Sequence, residues 1–263
     1  MKRFSEIPQG QDLRVKKEEN KQYRCPICQD HGFYFKGDIA YPCRCSKEKM
    51  KNIKREKAGI TPHLARQTFD RFDLSYYPDD ARGTTRRTYY ENAKAILAAS
   101  KQFVADYCRG ENNGGLLFEG SVASGKTFLA ASCANALLDR GVDVKFIIVP
   151  DFLDQLRETF HEGSDYSESQ LMDDVKKADV LFLDDLGAHN YTEWSIKTIF
   201  AIINYRVNYE KPMVVTTNLD KEEIEKLLGS RIYSRLLEAC KFFRLECSSD
   251  MRWKMRMHDK GKG

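Results

Sequence analysis

From residue 91 onward, apolar positions recur in two alternating rhythms. ENAKAILAASKQFVADY places Ile96, Leu97, Phe103, Val104 and Tyr107 on one face of a helix. GLLFE (115–119) is a short apolar run bounded by glycines, which predicts a strand, and FLAASCANALLDR predicts a helix stopped by Gly141. VKFIIV (144–149) then predicts a second strand and DFLDQLRETF a second helix. VLFL (180–183), MVVTT (213–217) and KFFRL (241–245) predict three more strands. Between the first two of these lies WSIKTIFAIINYRVNYE, with Ile196, Ile199, Phe200, Ile203 and Val207 at helical spacing. Strands alternating with helices of this length predict an α/β fold around a five-stranded parallel sheet. The continuous apolar strands FIIV and VLFL agree, because helices cover both faces of such a sheet.

Upstream of residue 91 this rhythm is absent. Four of the 8 cysteines, Cys25, Cys28, Cys43 and Cys45, fall within 21 residues, whereas Cys108, Cys133, Cys240 and Cys247 are scattered and read as buried thiols. SKEKMKNIKREKAGI is highly charged and reads as a helix or linker, and Gly59 and Pro62 mark a break. The predicted organisation is a cysteine-rich module over 1–60, a linker over 61–90 and an α/β domain over 91–263.

Charge sharpens that division. Residues 1–60 carry 15 Lys/Arg against 8 Asp/Glu, residues 61–250 carry 23 against 30, and the last 13 carry 5 against 1. The overall +4 is thus the average of a basic front, an acidic middle and a basic tail, a distribution that suggests polyanion contact through the ends. The 41% hydrophobic content excludes wholesale disorder. No apolar run reaches membrane-spanning length, and the first residues lack the apolar core of a secretory signal. A cytoplasmic, reducing setting is expected, in which the cysteines serve as thiols or metal ligands.

Gly120-Ser121-Val122-Ala123-Ser124-Gly125-Lys126-Thr127 matches G-x-x-x-x-G-K-[ST] in full, between a predicted strand and a predicted helix. Its glycines let the backbone curl so that N–H groups converge on phosphates, and the helix N-terminus adds partial positive charge. Lys126 is expected to reach the β- and γ-phosphates of ATP, and the Thr127 hydroxyl to ligate Mg2+. A P-loop also requires an acid at the end of another strand, and VLFLDD supplies Asp184 as the Mg2+ carboxylate and Asp185 to polarise the attacking water. MVVTTNL projects polar groups at the carboxyl edge of the sheet, where Asn218 is placed to orient that water.

C-x2-C-x14-C-x-C offers four thiolates in two tight pairs, which suits tetrahedral Zn2+ with no open position for catalysis. His31 is a spare ligand should Cys43 or Cys45 not serve. Tyr23, Phe33, Tyr34, Phe35 and Tyr41 alternate with Arg24, Lys36 and Arg44. Such rings form either the minimal core of a zinc hairpin, the favoured reading, or a base-stacking surface.

GSVASGKTFLAASCANAL, VLFLDDLG, MVVTTNL and GSRIYSRLLE, in that order, resemble the bacterial replicative helicase loaders of the DnaC/DnaI type and the related IstB-type transposition helper ATPases. The resemblance spans roughly residues 61–255, and the CPIC…CRC segment is similar to the zinc-bearing front of some loaders. It implies an AAA+ P-loop NTPase, in which Arg231 is an arginine finger reaching a neighbouring subunit and Arg252 a sensor arginine, with Arg235 the competitor for the finger. Asp185 departs from the family, since most AAA+ ATPases carry Glu there, and this implies slow hydrolysis. Only 45 residues follow Asn218, so a reduced or absent lid is expected. The implied partners are a replicative DNA helicase, single-stranded DNA and further copies of the chain. An IstB-like transposition helper and a zinc DNA-binding adaptor with a nucleotide-gated switch are the alternatives.

Overall fold

The computed structural model describes residues 23–159, 167–188 and 190–248. The chain divides into two compact units, Met1–Met50 and Lys51–Gly263.

In the first unit, Phe33–Lys36 (β1) and Ile39–Pro42 (β2) pair antiparallel across a turn at Gly37, whose φ of +64° favours glycine. All eight strand residues are exposed. The expectation that the hairpin aromatics form a minimal core is therefore corrected. Tyr23, Phe33, Tyr34, Phe35 and Tyr41 all face solvent, because a two-stranded ribbon has no layer to pack against. Helix α1 (Arg44–Lys57) follows the hairpin and ends in a turn at Gly59.

The second unit builds the α/β domain from α2 (Tyr89–Cys108), β3 (Gly115–Glu119), α3 (Lys126–Leu138), β4 (Val144–Ile148), α4 (Val149–Glu158), α5 (Glu168–Lys177), β5 (Val180–Leu186), α6 (Glu193–Asn208), β6 (Met213–Thr217), α7 (Lys221–Leu228), α8 (Ser230–Ala239) and β7 (Cys240–Arg244). The five strands β3 to β7 form one parallel sheet in the order β4-β5-β6-β3-β7. Successive strand residues point to opposite faces, so each strand feeds two cores. Leu116, Phe118, Phe146 and Phe182 join α2 and α3 on one face. Leu117, Ile147, Leu181 and Leu183 join α4, α5, α6 and α8 on the other. Capping boxes start α2 at Thr88/Glu91, α5 at Ser167/Gln170 and α7 at Asp220/Glu223.

Residues 61–90, expected as a linker, instead form part of this domain. Three short 3-10 turns (64–66, 69–71 and 74–76) direct Leu64, Phe72 and Tyr77 into the core beside α2 and α3. Asn135 on α3 holds the segment by donating to the Leu64 and Gln67 carbonyls, each at 2.9 Å. The scattered cysteines also differ from expectation in two cases: Cys133 and Cys240 are buried, but Cys108 is exposed at the end of α2 and Cys247 is half-buried. Among the described residues, no helix is long and apolar enough to cross a membrane.

Candidate functional site

Strand order brings the nucleotide motifs together. Because β3 lies beside β6 and β6 beside β5, the segments leaving these three strands are neighbours at the carboxyl edge of the sheet. That edge is where open α/β sheets bind ligands. The loop 120–125 leaves β3 and runs into α3. A Cβ on Gly120 would lie 2.0 Å from the Leu245 carbonyl oxygen, and Gly125 has a φ of +102°, so glycine is required at both ends of the turn.

The Lys126 side chain, 6% exposed, donates to the carbonyls of Gly120 (2.9 Å) and Ser121 (2.7 Å) and to Asn218 Oδ1 (2.7 Å). Asn218 Nδ2 in turn donates to Asp185 Oδ1 at 3.3 Å. One amide thus links the P-loop lysine to the second acid of β5. The Thr127 hydroxyl donates to Asp184 Oδ1 at 2.9 Å, and the Thr216 hydroxyl donates to the same oxygen at 2.7 Å. Burial raises the Asp184 carboxyl above its ordinary range, against the opposing pull of these two hydroxyls. A desolvated carboxylate beside a threonine hydroxyl is a fitting pair of oxygen ligands for Mg2+.

Asp185 lies within the register shift between Leu183 and Leu186 in the β5–β6 ladder and adopts a left-handed φ of +61°. Its N–H is held by Thr216 Oγ1 at 3.0 Å. Left-handed backbone at a residue other than glycine costs roughly 1–2 kcal/mol. Here it accompanies the turn that points Asp184 and Asp185 to different partners.

Within the loop Ala123 is also left-handed at φ +59°, and Val122 is exposed. Ser124 is buried, and its hydroxyl oxygen has no partner among the described residues. Arg231 is exposed in the first turn of α8 and makes no side-chain hydrogen bond or ion pair among the described residues. Arg235 is bound to Glu238 at 2.8 Å on its own helix. Arg252 lies outside the described residues. The residue that pattern reading missed is Tyr77, whose buried hydroxyl donates to the Ser124 carbonyl at 2.7 Å. It sits 47 positions upstream, in the stretch read as a linker, and no motif marks it.

In the first unit, the sulfurs of Cys25, Cys28, Cys43 and Cys45 all lie within 4.8 Å of one another. Cys25 and Cys43 are 3.7 Å apart, and Cys28 and Cys45 are 3.3 Å apart. Tetrahedral zinc with bonds of about 2.3 Å sets its sulfurs roughly 3.8 Å apart, so the four thiols fit that ion. The backbone N–H groups of Cys28 and Ile27 lower the Cys25 thiol to about 7, whereas contact with the Cys28 thiol raises Cys45. His31 is exposed and is not needed to complete the set.

Comparison with known proteins identifies the family of the α/β domain. The family profile of the IstB-like ATP binding protein matches residues 95–258. The replicative helicase loader DnaC of Escherichia coli strain K12 is 30% identical over 170 residues, covering 65% of this chain and 68% of that protein. The phage-like element PBSX protein XkdC of Bacillus subtilis strain 168 is 28% identical over 229 residues, covering 81% of this chain and 79% of that one. A crystal structure of the DnaC helicase loader superposes with a TM-score of 0.57 at 25% identity, covering 70% of this chain and 99% of that chain. The parallel sheet, the P-loop edge and these matches together make the chain a member of the IstB-like ATP-binding family, related to the DnaC-type helicase loaders.

Proposed function

We propose that this protein is a cytoplasmic ATPase that loads a replicative DNA helicase onto single-stranded DNA. The observation that carries the proposal is the pair of linked contacts Lys126–Asn218–Asp185 and Thr127–Asp184 at one edge of a DnaC-like domain.

ATP with Mg2+ supplies the transferable phosphoryl group and a divalent charge that offsets its oxygens. Lys126 binds phosphate oxygens, and the N–H groups of the loop 120–125 cradle them. Thr127 and Asp184 hold the Mg2+ ion. Asp185 accepts the proton of the attacking water, and Asn218 keeps Asp185 and Lys126 in register. Asp185 is one methylene shorter than glutamate, which limits its reach and suits slow turnover. Arg231, exposed on α8, is the finger that a second copy of the chain presents to the transferring phosphoryl group. Among the described residues its side chain has no partner, whereas Arg235 pairs with Glu238. Arg252 is assigned the sensor role.

The four cysteines hold one Zn2+, which organises the first unit for contact with a partner or with DNA. The match to the IstB-like ATP binding family supports a second reading, in which the resemblance to IstB-type proteins extends to a transposition helper that acts with a transposase. A third reading, a zinc adaptor that binds nucleotide without turnover, predicts no ATP hydrolysis with or without single-stranded DNA. Co-purification against the cognate replicative helicase and the cognate transposase tests the choice of partner. Recovery of the helicase is expected, and recovery of the transposase alone would overturn the proposal.

A further inference from the structure

Tyr77 reaches the P-loop from behind. It is 2% exposed, its ring lies 5.6 Å from that of Phe72, and its hydroxyl donates to the Ser124 carbonyl at 2.7 Å. The same hydroxyl would lie 2.7 Å from a Cβ on Gly125, and a Phe72 ring carbon would lie 3.2 Å from it. The Ser124 carbonyl and the Gly125 N–H belong to one peptide unit. A trans peptide is planar, so its N–H points opposite to its C=O. Fixing the carbonyl toward the protein interior therefore fixes the Gly125 N–H toward the open edge of the sheet. That N–H has no partner among the described residues.

Gly125 is the position where this orientation is least secured by sterics. With φ at +102° and no Cβ, it tolerates rotation of the preceding peptide plane that other residues resist. A flipped plane would turn the carbonyl oxygen, a negative dipole, toward the phosphates. We infer that Tyr77 is a positioning residue for nucleotide binding: its hydroxyl locks the Ser124–Gly125 peptide so that the Gly125 N–H is presented to a phosphate oxygen. Tyr77 lies outside residues 95–258, the part matched by the family profile, so this function comes from a segment upstream of the ATPase motifs. The inference rests on the nucleotide-binding reading of the P-loop.

Tyr77→Phe removes only the hydroxyl and keeps the ring in the core. Binding of Mg·ADP to the full chain is titrated at a temperature where every variant is folded. Ile203→Val, a core change on the other face of the sheet, serves as a control for lost stability. Tyr77→Phe is expected to raise the Kd about tenfold and to speed amide hydrogen exchange in residues 121–127 selectively. Ile203→Val is expected to lower the melting temperature and leave the Kd unchanged. Wild-type binding matched within twofold by Tyr77→Phe would overturn the inference alone. A wild-type chain that binds no nucleotide, or binds it equally well after Lys126→Ala, would overturn the P-loop reading itself and this inference with it. Should Tyr77→Phe fold poorly, the hydrogen exchange of residues 121–127 in its folded fraction decides, and protection equal to wild type overturns the inference.

Discussion

Removing zinc is expected to unfold the cysteine module and leave the α/β domain standing. Among the described residues of Met1–Met50, only Cys28 and Cys43 are buried, and no aliphatic or aromatic side chain is. Ordering one residue's backbone costs about 1–2 kcal/mol, and a fully buried Leu or Phe side chain returns about 1.5–3 kcal/mol. The hairpin therefore has no fully buried apolar side chain to set against its ordering cost. Four thiolates closing on zinc contribute on the order of 10–16 kcal/mol, the one term of sufficient size. The α/β domain has two apolar clusters of its own and does not depend on the metal. Elemental analysis is expected to find one zinc per wild-type chain and none after Cys43→Ser. Limited proteolysis of Cys43→Ser, or of chelator-treated wild type, is expected to cut within residues 23–43 while the main melting transition stays in place. A zinc-free chain that resists proteolysis there would refute this account of the module.

Two further expectations concern the ATPase site. Burial raises Asp184, so in the nucleotide-free protein its favourable contribution is complete below the unfolded value of about 4 and is lost as pH rises through the folded value. Asp184→Asn is expected to remove that pH dependence from the melting temperature above about pH 4, making the nucleotide-free chain no less stable, while ATP hydrolysis falls about 100-fold or more for want of the Mg2+ ligand. Hydrolysis at the wild-type rate would contradict the metal role. Arg231→Ala is expected to keep ATP binding and slow hydrolysis in the assembled state, where a finger is worth ~10³–10⁵ in rate. A loss under twofold would transfer the role to Arg235.

Much of the site was legible because its parts are local. The loop 120–127 is one contiguous signature, and Asp184 and Asn218 mark the ends of apolar strands whose alternation already implied a parallel sheet. The two cysteine pairs were legible for the same reason. Where the chemistry depends on tertiary contact, the pattern was silent. The 3-10 turns of residues 64–76 have neither helical nor strand periodicity, so their burial of Leu64, Phe72 and Tyr77 left no rhythm to detect. The Tyr77–Ser124 contact follows only from how that segment lies against α3. The hairpin aromatics misled in the opposite direction, since apolar side chains predict burial only where a second layer exists to cover them. Helices α5 and α7 escaped notice because each is short and presents only two buried residues, Leu171 and Val175 or Ile224 and Leu228.

In the proposed function, ATP turnover at Lys126 drives the placing of a helicase on DNA. Its most direct test mixes the full chain, ATP, the cognate replicative helicase and a single-stranded DNA circle, and measures helicase retained on the circle. Retention is expected with wild-type protein and ATP, falling to the level without loader for Lys126→Ala. Equal retention with wild type and Lys126→Ala, or none with either, would rule out that role.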